Sequence, residues 1–249
     1  MLYMKHGKIV GLGIFLEDID SLVIADLHIG YEETLAEQGI HLPQSQYFKI
    51  KEAVEEMVEK TNPSRIIIDG DVKHEFGAAT RQEWSEVLDL IEFLQENVKE
   101  IIVVRGNHDN FLIPILKRKG IELYDPFYAI ENYYFTHGHK DLTIDAANYE
   151  YIILGHEHPA VSIRDELGIK YKFKCILEGK VNDQVVVILP ALSPLMPGSS
   201  VNELDSGQLL SPYLRRIDIS DFEVYVVDPE VGIYDFGKLK YLRSQYIEI

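Results

Sequence analysis

Cysteine is all but missing from this chain. Cys175 is the only one in 249 residues, which excludes an intrachain disulfide and a thiolate metal cluster, so any metal must bind through nitrogen and oxygen. Long apolar runs are missing too. No stretch approaches the ~18 to 20 residues of a membrane span, and Met1-Leu2-Tyr3-Met4-Lys5-His6-Gly7 lacks the apolar centre of a signal peptide, so the expectation is a cytoplasmic protein with no membrane segment. Basic charge is scarce: 24 Lys and Arg face 41 Asp and Glu, a formal net charge of −17 whose mean field repels long polyanions. Two bound divalent cations would bring that only to −13. A nucleic-acid substrate would therefore need a local basic patch, a metal-lined cleft or a partner protein; solubility alone is the competing account of the acidity. Repeats and low-complexity segments are absent, and 46% hydrophobic content is ample for a full α/β core.

What the chain does have is a succession of short apolar runs that each stop at polar residues. Ile9-Val10-Gly11-Leu12-Gly13-Ile14-Phe15-Leu16 and Leu22-Val23-Ile24-Ala25 are split by an acidic turn, and the second ends in Asp26-Leu27-His28-Ile29-Gly30. A helical piece over Tyr31 to Gln38 closes at Gly39. The spacing of Tyr47, Ile50, Val54, Met57 and Val58 predicts an amphipathic helix from Gln44 to Lys60, with Glu52, Glu55, Glu56 and Glu59 on its solvated face. Arg65-Ile66-Ile67-Ile68 then leads into Asp69-Gly70-Asp71-Val72-Lys73-His74. Trp84, Val87, Leu88, Ile91 and Leu94 mark a helix over Arg81 to Asn97. Ile101 to Val104 leads into Gly106-Asn107-His108-Asp109, and a third helix is expected over Asn110 to Lys119. Tyr133 to Thr136 leads into His137-Gly138-His139, and Tyr151 to Leu154 into Gly155-His156-Glu157-His158-Pro159.

Alternating strands and helices predict a mostly parallel sheet, whose ligands gather beyond the carboxyl ends of the strands. After Ala160 the strand-like runs Lys170 to Leu177, Val185 to Leu189, Phe222 to Val227 and Ile233 to Phe236 follow without helices, and are expected to complete a second sheet packed on the first. The expectation is one domain over 1–249, with the motifs in 1–159 and the strand-rich completion in 160–249.

Seven of the nine histidines (His28, His74, His108, His137, His139, His156 and His158) lie in these five strand-end motifs. A lone histidine is usually an ordinary core or surface residue, but a concentration at strand ends is not ordinary. Imidazoles, carboxylates and one carboxamide without sulfur form a borderline donor set suited to manganese, zinc or iron(II). A carboxylate shared by two ions would place them ~3.5 to 4 Å apart, the separation used for in-line phosphoryl displacement. His108 needs a nearby carboxylate to fix its tautomer and raise its pKa, a part Asp109 could play.

The ordered set Asp26-x-His28, Gly70-Asp71, Gly106-Asn107-His108-Asp109, His137 and Gly155-His156-x-His158 resembles the calcineurin-like metallophosphoesterase superfamily over residues 22 to 159. The resemblance implies an α/β fold of two mixed β-sheets packed face to face with helices outside, a four-layer αββα sandwich with its metal site at the carboxyl ends of the strands. It also implies two divalent ions, manganese first with zinc or iron(II) as alternatives. Asp26, His28, Asp71 and His158 would hold one ion, and Asp71, Asn107, His137 and His156 the other, with Asp71 bridging. His108 would act on the phosphate, with Asp109 orienting its ring, and a metal-bridging hydroxide would attack the phosphodiester.

His74, three residues after the bridging aspartate, is similar to the repair nucleases of the superfamily and would touch substrate phosphate; a purely structural histidine is its other reading. Asp26-Leu27-His28-Ile29-Gly30-Tyr31-Glu32, Gly155-His156-Glu157-His158-Pro159 and Leu189-Pro190-Ala191 look like the archaeal and bacterial branch related to DNA-ligase-associated phosphoesterases. That branch implies DNA or RNA as substrate, a DNA-repair protein as partner and a homodimer by analogy. The competing readings are a phosphomonoesterase or cyclic-nucleotide phosphodiesterase, and a metal-binding scaffold of the same fold without catalysis. His139 could support the ligands or merely shape a His-Gly-His turn, and Asp69 and Glu157 are expected to be solvated or structural. Lys117-Arg118-Lys119, Lys170, Lys172 and Lys174, Arg215-Arg216, and Lys238, Lys240 and Arg243 are the basic candidates for substrate contact. The loops Phe76 to Thr80 and Pro190 to Asn202 are expected to discriminate among substrates.

Overall fold

The computed structural model describes residues 2–4, 6–77, 79–229 and 231–243. Its first sheet runs through the N-terminal half in chain order: β1 (Leu2–Met4), β2 (Gly7–Val10), β3 (Gly13–Leu16), β4 (Ser21–Ile24), β5 (Arg65–Asp69), β6 (Glu100–Val104) and β7 (Leu123–Tyr124). β1 to β4 are joined by antiparallel pairings, and β4 to β7 are parallel. Helices α1 (Tyr31–Glu37), α2 (Gln46–Thr61), α3 (Arg81–Asn97) and α4 (Ile113–Arg118) make the crossovers among the parallel strands.

The second sheet holds β8 (Tyr128–Ile130), β9 (Tyr133–Thr136), β10 (Tyr151–Leu154), β11 (Pro159–Arg164), β12 (Lys170–Val181), β13 (Gln184–Ile188), β14 (Ser199–Ser200), β15 (Glu223–Asp228) and β16 (Gly232–Lys238), followed by the single turn α5 (Leu239–Leu242). At its centre β9, β10 and β13 are parallel, while the remaining pairings, apart from the short β11–β14 one, are antiparallel.

Side-chain alternation sets how the sheets stack. On β10, Ile153 joins a core shared with Ile24, Ile67 and Val103 of the first sheet, whereas Ile152 and Leu154 join a second core on the outer face. A period of two delivers neighbouring residues to opposite faces, so a run buried on both sides reads as continuously apolar. The two mixed sheets therefore pack face to face. α2 and α3 cover the first sheet, burying Tyr47, Ile50, Val54, Met57 and Val58 from one and Val87, Leu90, Ile91 and Leu94 from the other. The outer face of the second sheet is covered by Ala146, Leu209, Leu214, Leu239 and Leu242, which come from 3₁₀ turns, a loop and α5, so that layer is thin.

Three local expectations change. The run Ile9 to Leu16 is a hairpin, because Gly11 takes φ +56° between β2 and β3. The helix expected from Asn110 opens as a 3₁₀ turn over Asp109–Phe111, and α4 starts at Ile113 with Pro114 in its first turn, where a missing N–H costs nothing. Pro159–Arg164 is a strand that the sequence reading left unassigned. No helix among the described residues is long and apolar enough to cross a membrane.

Candidate active site

The carboxyl ends of β4, β5, β6, β9 and β10 carry Asp26 and His28, Asp71, Asn107 and His108, His137, and His156 and His158. The chain turns sharply as it leaves these strands. Nine non-glycine residues have positive φ among the described residues, and Asp26 (57°), His28 (46°), Asp71 (50°), His156 (65°) and His158 (47°) are five of them. Such backbone is disfavoured for residues with a Cβ, and its concentration here marks strain held in place by the surrounding structure. Glycines make the convergence possible. A Cβ on Gly106 would lie 2.0 Å from Asp71 Oδ1, and one on Gly70 would lie 2.2 Å from His137 Nδ1.

Asp71 sits at the junction. Its Oδ2 is 3.3 Å from His137 Nε2, 3.8 Å from His28 Nε2 and 3.9 Å from His108 Nε2, while Oδ1 accepts the His108 backbone N–H at 2.9 Å. Of three groups of donors at the site, two flank Asp71, with Asp26, His28 and His158 on one side and His137 and His156 together with Asp71 itself on the other; the third is His28, His74 and His108. His158 Nε2 is 3.1 Å from Asp26 Oδ1 and 3.4 Å from His28 Nε2, and Asn107 Oδ1 is 3.1 Å from His137 Nε2. All seven residues expected as ligands are thus gathered at one place.

This donor set fits divalent cations. Asp26 Oδ1 is fully buried and accepts no hydrogen bond, and within each group the donor atoms lie within 4.8 Å of one another. Protonation favours binding as well. Burial holds the His28 imidazole down to about 3, against the pull of Asp71 and Asp26, and holds His156 down to about 4, so both rings are neutral and keep a lone pair for a cation. Burial opposes ionisation of Asp26 and Asp71, yet neighbouring histidines outweigh it and lower both carboxyls. His137 is the exception: burial pulls it down, but Asp71 and Asp26 raise it to about 10, so a cation must displace its proton.

Asp109 is placed differently from expectation. Its carboxylate accepts the backbone N–H groups of Asp71 (2.8 Å), Val72 (3.0 Å) and Gly106 (2.8 Å), lashing the end of β5 to the end of β6 beneath the Asp71 side chain. The His108 ring does not rest on it; His108 Nδ1 instead contacts the backbone carbonyl of His74. Burial and the adjacent Asp71 raise the Asp109 carboxyl to about 7. His74 lies in the site with its Nδ1 3.3 Å from His28 Nδ1. The His139 ring is 5.3 Å from that of His137 and belongs to neither flanking group. Asp69 and Glu157 are fully buried, not solvated. Glu157 accepts Leu210 N (2.7 Å) and Ser211 N (3.1 Å) and so pins that loop beside His156 and His158.

Several supporting residues were not foreseen. Glu83 of α3 accepts the backbone N–H groups of His74, Glu75 and Thr80, and Lys73 donates to the carbonyls of Glu75 and Gly77, so both fix the loop that carries Phe76. Phe76 stacks on His108 with centroids 3.7 Å apart while remaining 54% exposed. Gln46 bridges the His28 carbonyl (2.9 Å) and Ser193 Oγ (2.7 Å). The Glu83 role had a sequence signal, since Thr80-Arg81-Gln82-Glu83 is a capping-box pattern, and both halves of the box form. Gln46 had none.

The family profile for calcineurin-like phosphoesterases matches residues 20–163, which spans every one of these strand-end motifs. The chain belongs to that family. As a calcineurin-like phosphoesterase it is a metal-dependent phosphoesterase, and the donor groups described above are its candidate metal ligands. A nuclease MPE from Pseudomonas putida shares its fold, with a TM-score of 0.61 at 19% identity over 86% of this chain and 88% of that one. A phosphoesterase, YfcE from E. coli, aligns with a TM-score of 0.41 at 14% identity over 88% of this chain and 98% of that one. No curated protein sequence matches significantly.

Proposed function

We propose that this calcineurin-like phosphoesterase is a binuclear phosphodiesterase, manganese-dependent in the first instance, acting on nucleic-acid or nucleotide diesters within a single domain. One observation carries the reading: Asp71 Oδ2 lies 3.3 Å from His137 Nε2 and 3.8 Å from His28 Nε2, between the two donor groups, where one carboxylate can serve both. Asp26, His28, Asp71 and His158 would hold one ion, and Asp71, Asn107, His137 and His156 the other. When bound, the pair supplies Lewis-acid polarisation of the phosphate and lowers the pKa of water near it.

The chain's own residues do the rest. His108 Nε2 faces the cluster 3.9 Å from Asp71, while the His74 carbonyl at Nδ1 fixes the ring. Water forms the new P–O bond and releases a proton, the bond to the leaving oxygen breaks, His108 delivers the proton that oxygen takes up, and the proton released by the water replaces the one His108 gave. The exposed Phe76 ring beside His108 favours a substrate with a bulky group on the leaving side.

The charge balance favours a second reading, a cyclic-nucleotide phosphodiesterase or phosphomonoesterase. Net charge is −17, and many of the basic candidates are engaged within the chain. Lys174 donates to the Ala191 and Ser193 carbonyls, Lys170 pairs with Glu203, Lys119 with Glu92, Arg216 with Asp141, and Lys238 and Lys240 with Asp221. A manganese-loaded substrate panel separates the readings. Cleavage of single-stranded DNA or RNA oligonucleotides is expected; turnover confined to cyclic nucleotides or monoesters would replace the first reading with the second.

A further inference from the structure

His28 must present one ring nitrogen as a lone-pair donor, and the other then carries the proton. A ligating histidine normally donates that N–H to a carboxylate or a carbonyl. Here the atom opposite His28 Nδ1 is neither. It is Nδ1 of His74, at 3.3 Å.

The His74 ring is held there from several sides. Beyond β4 and β5 the chain stays in register: His28 N donates to Asp71 O (2.9 Å), Ile29 N to Val72 O (3.0 Å), and His74 N to Ile29 O (2.9 Å). Ile29 and Lys73 form a parallel bridge that sets His28 beside Val72, and the His74 ring, two positions on, lies with its centroid 5.2 Å from that of His28. Glu83 Oε1 accepts the same His74 N–H at 3.1 Å, anchoring the segment to α3. The Tyr31 ring, at the start of α1, packs on the His74 ring with centroids 4.0 Å apart.

We infer that His74 is a positioning residue for the first metal seat: its Nδ1 accepts the Nδ1–H of His28, so that His28 offers Nε2 to the ion beside Asp26, Asp71 and His158. His74 is thereby fixed as the tautomer with its proton on Nε2, a neutral N–H donor held next to His108. The inference rests on the binuclear reading, and it gives His74 a task that precedes any contact with substrate. The side chain at position 74 must accept a hydrogen bond. Glutamine meets that requirement; leucine, of similar bulk, does not.

The test is manganese binding to the full chain, measured by calorimetry and by electron paramagnetic resonance of free Mn²⁺, for wild type, His74→Gln and His74→Leu. Apoprotein melting curves confirm that each variant is folded. Wild type is expected to bind two ions. His74→Leu is expected to weaken one of them by about 10- to 100-fold, the usual effect of losing an outer partner of a ligating histidine, while His74→Gln stays within a few-fold of wild type. Equal weakening in both variants, or none in His74→Leu, overturns the inference and leaves the binuclear reading standing. A third ion in wild type that is lost in both variants overturns it too, because the two Nδ1 atoms would then share a cation and not a proton. Failure of wild type to bind two ions overturns the binuclear reading and this inference together.

Discussion

Asp109 and His108 are adjacent in the chain and do opposite kinds of work. Asp109 is buried and satisfies three backbone N–H groups where the chain leaves β5 and β6, so Asp109→Ala strands three donors away from water. A buried unsatisfied donor costs about 1 to 3 kcal/mol, so this variant is expected to lose several kcal/mol in chemical denaturation. His108→Gln should keep wild-type stability and manganese stoichiometry while turnover falls on the order of 10²-fold, the scale of a lost general acid. A stable Asp109→Ala protein with only a catalytic defect would restore the role of ring orienter that the motif suggests. Gly106 supplies a steric counterpart. A methyl group there meets Asp71 Oδ1 at 2.0 Å and Asp71 N at 2.3 Å, so Gly106→Ala must displace the Asp71 carboxylate. Overpacking of this kind costs about 1 to 3 kcal/mol, and under the proposed binuclear reading calorimetry should show impaired binding of both ions.

The helices show where the sequence could be read and where it could not. α2 and α3 carry their apolar residues at helical spacing, and the period of 3.6 fixes which face is buried whatever lies beneath it. The hairpin inside Ile9 to Leu16 was hidden because one Gly in an apolar run looks the same whether it is extended or at φ +56°. Burial of acids was hidden as well. Glu32 accepts the backbone N–H groups of Ser45 and Gln46, and Glu83 those around His74, so both are buried where amphipathic patterning would leave them wet.

Glu86 shows a consequence of that crowding. Burial, reinforced by Glu32, Glu33 and Glu83 and opposed by a hydrogen bond from Gln82, raises its carboxyl from 4.5 to about 7. A folded-state pKa above the unfolded one means the contribution is fully present below about 4.5 and is lost as pH rises through about 7. Glu86→Gln is therefore expected to raise the melting temperature at pH 8 and to change it little at pH 4.5. An equal effect at both pH values would show that Glu86 is not the titrating group.

For the molecule as a whole, motif order carried the fold. Five runs ending in metal-type residues required their carboxyl ends to meet on one rim, and β4, β5, β6, β9 and β10 do so across two sheets that share a core. Side-chain partners were not legible in the same way. Which group faces His108 depends on how the loops after β5 and β6 meet, and the neighbouring carboxylate in the sequence proves to point at backbone. A molecule that gathers this many like-charged and lone-pair groups is expected to gain stability from cations. At a free manganese concentration about 100-fold above the dissociation constant, one ion adds about 2.7 kcal/mol, or about 5 to 11 °C in melting temperature for a chain of this size. Chelation should reverse that shift, and an unchanged melting curve with and without manganese would argue against a metal seat.

The central claim is that the two donor groups joined through Asp71 form a phosphodiesterase. Its most direct test is the initial rate of the manganese-loaded protein on a bis-aryl phosphate and on the corresponding mono-aryl phosphate at equal concentration. Faster hydrolysis of the bis-aryl ester, abolished by Asp71→Asn, is the expected result. Rapid cleavage of the mono-aryl ester with no hydrolysis of the bis-aryl ester would contradict it.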